Sequence, residues 1–223
     1  IIHPEDSVHR DTAEIEHSVD SINCPPIVLL EEEELMPRES ARRRLGLPMD
    51  SRVIYVQLGA GEINDIQSEI RMTIDALMKH HGVHVVLGES MLGNRLPVEL
   101  DGIHLLRDYP NSRYYNAFDA TIQAGGYNSF HEVRKYRIPT LFYPNMNTGM
   151  DDQLARCKAA IEEGWGILLE NREAESIHSA IDELLEKCEK PKIGKSENSN
   201  AMFLAERLIS RIDEINIQLL EEG

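Results

Sequence analysis

The sequence predicts an α/β fold, a Rossmann-like, doubly wound parallel sheet. Apolar runs of strand length alternate with segments whose apolar residues recur at helical period, the order that builds parallel βαβ units. Glycine-rich turns, Gly59-Ala60-Gly61 and Gly125-Gly126, fall where two of those strands end. At 223 residues with 41% hydrophobic content, the chain has room for one such domain and an appendage.

Residues 1–50 differ from the rest. Ile1-Ile2-His3-Pro4 reads as the end of a strand and leads into a polar, acidic stretch. Pro25-Pro26 excludes helix and favours an extended connector through Leu30. Glu31 to Glu34 is a charge run, most simply a solvated one, and residues 37–45 form a short helix stopped by Gly46. The expectation is that residues 1–50 are the tail of a preceding N-terminal domain plus a linker, and that residues 51–223 form one domain with its C-terminal helices.

Residues 53–58 are a buried-type strand, followed by the Gly59-Ala60-Gly61 turn. Ile66, Ile70, Ile74, Leu77 and Met78 mark one face of a helix. Strands follow at 83–87 and 103–106, then a short turn or helix at 111–116. Residues 118–153 read as strand, double-glycine turn, helix, strand, and a loop entering another helix. A last strand at 166–169 precedes helices near 173–188 and 198–220. The final helix carries Leu204, Leu208, Ile212, Ile215 and Leu219 on one stripe, which should lie against something.

With 39 acidic and 23 basic residues the formal net charge is −16, which argues against nucleic acid and anionic membranes as partners. A phosphate ligand stays open, because helix N-termini and a few placed arginines act locally. Cys24, Cys157 and Cys188 are isolated in sequence and give neither a disulfide framework nor a metal spacing, so a cytoplasmic location is expected. No apolar run approaches the ~18 residues of a transmembrane segment.

The central unit concentrates the chemistry. Gly125-Gly126 at a strand end lets the backbone turn and approach a ligand closely. The next helix points its unpaired N–H groups and positive dipole end at the same spot, which suits a phosphate. Ser129 adds a hydroxyl donor, and the Glu132 carboxylate matches the vicinal hydroxyls of a ribose. Asp152 and Gln153 open the following helix with groups that can hold sugar hydroxyls.

Each signal has a plainer reading. Ser129 and Glu132 also fit the S-x-x-E capping box, and Asp152 is a favoured N-cap residue. Gly59-Ala60-Gly61-Glu62-Ile63-Asn64 approximates a dinucleotide fingerprint with Asn64 in place of the third glycine, and Glu89 lies beyond the usual spacing for its acid. His80, His81 and His84 straddle a helix end without a carboxylate at ligand spacing, so no metal is expected. Asp151-Asp152 is not a D-x-D motif, and no G-x-S-x-G elbow is present.

Taken together, Gly125, Gly126, Ser129, Glu132, Pro139, Pro144, Asp152 and Gln153 resemble the donor-binding half of GT-B nucleotide-sugar glycosyltransferases, in the branch of the peptidoglycan-precursor N-acetylglucosaminyltransferase (glycosyltransferase family 28). The resemblance covers residues 53–169. It implies a nucleoside diphosphate sugar as donor substrate, UDP by default, with no cofactor and no metal, and inverting transfer to an acceptor the sequence does not name. The general base and the acceptor site belong, by the same resemblance, to the N-terminal domain or to a partner chain. Gly61 would line the interdomain cleft, Asn64 would donate there, and the turn at Tyr109-Pro110 would hold the base, although Pro110 lacks an N–H to donate. Three rivals accompany this reading: a partner-dependent, non-catalytic nucleotide-sugar-binding subunit, a nucleotide-sugar epimerase and an NAD(P)-dependent dehydrogenase.

Overall fold

A computed structural model describes residues 2–4, 22–58, 66–88, 102–145, 152–189 and 200–221. By its internal contacts the chain divides into Ile1–Glu31 with Glu197–Gly223, and Glu32–Ser196. This division differs from the boundary read at residues 50 and 51. The helix after Pro37 falls within the larger unit, and the terminal helix groups with the N-terminal residues.

In the smaller unit, β1 (Ile2–Pro4) pairs in parallel with β2 (Ile22–Cys24), Ile2 opposite Ile22. Cys24 is buried, and Asn200 at the start of the terminal helix donates its amide to the Pro26 carbonyl at 2.7 Å.

The larger unit begins with a 3-10 turn, Glu32–Glu34, whose three side chains are exposed, as a solvated charge run should be. Helix α1 (Arg38–Leu45) follows and ends on Gly46, whose φ of 66° suits glycine; the Gly46 N–H closes the helix onto Arg42 and Arg43 carbonyls. Then come β3 (Arg52–Gln57), α2 (Ile66–Leu77), β4 (Val83–Gly88), β5 (Ile103–Leu106) and a 3-10 helix, Asn111–Ala117. The unit is completed by β6 (Ala120–Gln123), α3 (Tyr127–Lys135), β7 (Thr140–Phe142), α4 (Gln153–Glu162), β8 (Gly166–Leu168) and α5 (Ala174–Lys187). The terminal helix, α6, spans Asn200–Glu221.

All six strands β3–β8 run parallel in the order β5-β4-β3-β6-β7-β8, the doubly wound arrangement expected. The order reverses between β3 and β6. In such sheets ligands bind outside the carboxyl ends of the strands at this reversal.

The register keeps the two faces chemically separate. Ile54 stands opposite Val85 and Ala120, Ile122 opposite Leu141, and Leu141 opposite Ile167. These residues pack against Ile70, Ile74 and Leu77 of α2 and Ile177, Ile181 and Leu184 of α5 in one apolar core. Full burial of each leucine, isoleucine or valine among them contributes about 1.5–3 kcal/mol. Met78, read as part of the α2 face, lies just past the helix end and is 47% exposed.

The opposite face is aromatic and polar. The ring of Tyr55 stacks on Phe118 at 4.8 Å, and Phe130 of α3 packs on Phe142 and Trp165. Thr121 and Thr140 share a hydroxyl hydrogen bond of 2.8 Å between β6 and β7.

Helix α1 is tied to this face by Arg42, which is 1% exposed. Its guanidinium donates to the carbonyls of Ala117 (3.0 Å), Pro48 (3.0 Å), Met49 (2.6 Å) and Ser51 (2.9 Å), and to Asp119 Oδ2 (2.8 Å). Asp119 also accepts from Arg38 at 2.5 Å and from the Val53 N–H at 2.7 Å. A buried cation needs such a full set of acceptors, so α1 is part of the domain's structure.

Candidate functional site

The carboxyl ends of β3 and β6 meet at the reversal with Gln57 opposite Gln123, both pointing to the polar face. Gln57 Oε1 accepts from the Tyr55 hydroxyl at 3.0 Å, and that hydroxyl accepts from Asn111 Nδ2 at 2.9 Å. Gln123 Nε2 donates to the Tyr115 hydroxyl at 3.3 Å, while its buried Oε1 has no partner among the described residues. Tyr55 fits only because β4 ends in glycine: a Cβ at Gly88 would sit 2.1 Å from the Tyr55 hydroxyl.

Beyond Gln123 the chain turns at Gly125, whose φ is 80°. A side chain there would be strained by the backbone and would meet Cys157 Sγ at 2.5 Å. Gly126 is the N-cap of α3 and, having no side chain, leaves the cap without a side-chain hydrogen bond. The first N–H groups of the helix have no intrahelical partner. Ser129 sits in the first turn and donates to the Gly126 carbonyl at 3.1 Å.

This geometry rules out the capping box. Because α3 starts at Tyr127, Ser129 is the third helical residue and cannot cap, and Glu132 lies a turn too deep to reach the cap N–H. Instead Glu132 faces the 3-10 helix and the two tyrosines. Burial pushes its carboxyl above the ordinary range, and the Ser112 hydroxyl acts in the opposite direction. Tyr55 and Tyr115 are pushed up chiefly by burial, and the Glu132 charge adds to the effect on both. Ser112 was not legible as a site residue. It stands 20 positions before Glu132 (132 − 112), and only the sheet brings them together.

Tyr109 is 63% exposed, and Pro110 is the N-cap of the 3-10 helix that carries Asn111 and Ser112. Asp152 caps α4, its Oδ1 accepting from the Ala155 N–H at 2.9 Å. Gln153 Oε1 accepts from the Asn145 N–H at 2.9 Å, tying the end of β7 to the start of α4. Arg156, one turn further, is 8% exposed and donates to the Gly125 carbonyl at 2.6 Å. On the far side of β7, Arg172 pairs with Glu69 and donates to the Pro144 carbonyl at 2.6 Å. Gly61 and Asn64 lie outside the described residues, as do Glu89 and Asp151.

The structure therefore brings Gly125, Gly126, Ser129 and Glu132 together on one strand–turn–helix unit. Asp152 and Gln153 join it through Arg156. Among the described residues no three His, Cys, Asp or Glu side chains gather as a metal site needs, and no described helix is long and apolar enough to cross a membrane.

No protein-family model matches the chain. An uncharacterized glycosyltransferase of Methanopyrus kandleri is 26% identical over 167 residues, covering 70% of this chain and 46% of its own length. Among solved structures, the glycotransferase of kitacinnamycin superposes with a TM-score of 0.56 at 15% identity, over 78% of this chain and 43% of that one. The calicheamicin glycosyltransferase CalG4 gives 0.53 at 17% identity, over 76% and 42%. The MurG of Acinetobacter baumannii gives 0.51 at 15% identity, over 76% and 49%. The chain thus spans about half the length of the proteins it matches. Its parallel sheet, with Gly125-Gly126 at the reversal of strand order, has the Rossmann-like fold found in GT-B glycosyltransferases.

Proposed function

We propose that this chain is the donor-binding half of a glycosyltransferase that takes its sugar from a nucleoside diphosphate sugar, UDP by default. The observation that carries the reading is the Gly125-Gly126 turn at the strand-order reversal, opening α3 with the half-buried Glu132 on the same helix. A dinucleotide or nucleotide phosphate fits such a helix start. A half-buried carboxylate beside Ser112 fits the paired hydroxyls of a ribose, which satisfy a carboxylate that burial has left short of water.

In this reading the first N–H groups of α3 and the Ser129 hydroxyl stabilise the charge that develops on the departing diphosphate. Such preorganised donors act where charge grows in the transition state. Glu132 fixes the ribose. Asp152, through the carboxylate oxygen not used for capping, and Gln153 orient the sugar, a positioning role. Transfer proceeds with inversion and without metal, and the general base comes from an acceptor-binding domain or partner chain.

A thermal-shift screen of UDP, dTDP, GDP and their sugars tests the proposal, because a ligand that binds only the native state raises its apparent stability. At least one nucleoside diphosphate should raise the melting temperature in a concentration-dependent way. A chain indifferent to all of them, while NAD or NADP raises it, would transfer the assignment to a dehydrogenase.

A further inference from the structure

We propose that the smaller unit, β1–β2 with α6, is a docking surface for one further α/β domain, whose parallel sheet continues β1–β2 and receives the apolar face of α6. Helix and strands are mismatched in size. α6 has 22 residues and is about 33 Å long. The strands it accompanies have three residues each, about 10 Å, and lie about 4.8 Å apart. α6 lies against β2, with Asn200 at its first residue bonded to the Pro26 carbonyl, but so small a pair can cover only a fraction of the helix. β1 and β2 also run parallel, and parallel sheets are built from more strands than two and have both faces covered. Most of the large apolar side chains exposed among the described residues belong to this unit, although it is the smaller one. Ile27 and Leu29 follow β2 at alternate positions, and Leu208, Ile209, Ile212 and Ile215 stand on α6. Clustered exposure of this kind marks a contact surface.

Shape, charge and length select the occupant. Leu208, Ile212 and Ile215 alone would form a narrow seam for one other helix. Ile209 widens the face to about 120° at 3.6 residues per turn, the width of a helix laid on a larger layer. Two copies of a chain with a net charge of −16 repel each other, which disfavours a homodimer. Residues 5–21, which join β1 to β2, contain only Val8, Ala13, Ile15 and Val19 as apolar residues, too few to cover both the sheet and the helix. A different domain is left, and the chain spans about half the length of the proteins it matches. The acceptor-binding domain of the reading above answers this description. The inference rests on the smaller unit alone, however, so it stands or falls separately from nucleotide binding by the larger one.

The test uses the full chain, alone and mixed with the polypeptide encoded immediately upstream of Ile1, expressed separately. Light scattering gives the stoichiometry, and hydrogen exchange reads the amides of α6 and β1–β2. Alone, the chain should be a monomer whose α6 amides exchange rapidly. In the mixture a 1:1 complex should form, with slowed exchange in both α6 and β1–β2. Ile212→Asp should weaken that complex about tenfold or more, because it places a charge in the apolar contact. Ser210→Asp, on the opposite side of α6, should leave it unchanged. Slow α6 exchange in the chain alone would mean that the chain covers its own helix. A dimer that Ile212→Asp dissociates would mean that a second copy does. Either result overturns the inference. So does a mixture that forms no complex, or a complex that leaves α6 exchange unaltered or withstands Ile212→Asp.

Discussion

The two faces of the sheet are built by different rules. On one, Ile54, Val56, Val85, Leu87, Ile122 and Leu141 meet α2 and α5 by apolar contact, and the hydroxyls of Thr73 and Tyr143 share a hydrogen bond of 2.9 Å within it. On the other, Tyr55, Thr121, Gln123 and Thr140 are just as buried but held by hydrogen bonds, and the helices over them are secured by arginines. Apolar contact is non-directional and tolerates exchange of one aliphatic residue for another. A hydrogen-bonded face has fixed geometry, and an unmade bond there costs more than a made one returns. The groups proposed to hold the ligand are carried by α3 and α4, whose Phe130 and Cys157 pack on this second face.

The sharpest way to break the comparison is at Arg42. Arg42→Ala takes the arginine donor from four main-chain carbonyls and leaves Asp119 with only Arg38 and the Val53 N–H, and should lower stability by about 3–5 kcal/mol in chemical denaturation. On the apolar face, Leu77→Ala removes a fully buried side chain and should cost about 2–5 kcal/mol. Its nucleotide affinity, measured by calorimetric titration, should match wild type. A Leu77→Ala protein that is folded but binds poorly would show that the faces are coupled.

Glu132→Gln should weaken nucleotide binding by about 1.5–3 kcal/mol, a lost charged hydrogen bond. Stability should move the other way. Burial raises the Glu132 carboxyl, so its protonated form is the one the folded state favours. The benefit of protonation is full below the ordinary value of 4.5 and is lost as pH rises through the raised value. At neutral pH the wild type therefore carries the cost of a buried charge that Glu132→Gln lacks. The variant should melt higher than wild type at neutral pH, with the difference shrinking as pH falls toward 4.5. Equal melting curves across that range would remove the carboxylate from the pocket. The smallest effect expected is at Asp152, where Asp152→Ala removes the α4 cap and should cost about 1 kcal/mol.

Much of this was legible in the chain. The alternation of strand and helix gave the parallel sheet, because period-2 and period-3.6 patterns are local. Gly125-Gly126 was legible because a backbone turn writes itself in residue type. Ser129 and Glu132 were ambiguous with a capping box, and only the position of the helix start, two residues before Ser129, separates the readings. The roles of Arg42, Arg156 and Arg172 could not be read, since each grips main-chain carbonyls, which carry no residue identity. Helix α6 shows a different limit. The sequence shows its apolar stripe, yet Leu208, Ile212 and Ile215 of that stripe are 39%, 57% and 43% exposed. Periodicity reports that a helix has an apolar side but not what covers it.

The face-keeping register of the six strands has a consequence for how such a chain can change over generations. Side chains in a strand alternate, so the loss or gain of one residue within β6 would turn its inner pattern over. Ala120 and Ile122 would exchange sides with Thr121 and Gln123, placing hydroxyl and amide groups in the apolar core and methyl groups under the Gly125-Gly126 turn. Point changes between aliphatic residues are small steps on this landscape, whereas odd-numbered insertions in a strand are cliffs. Descendants of this sequence should therefore differ in length only between strands, while the parity of each strand is inherited intact.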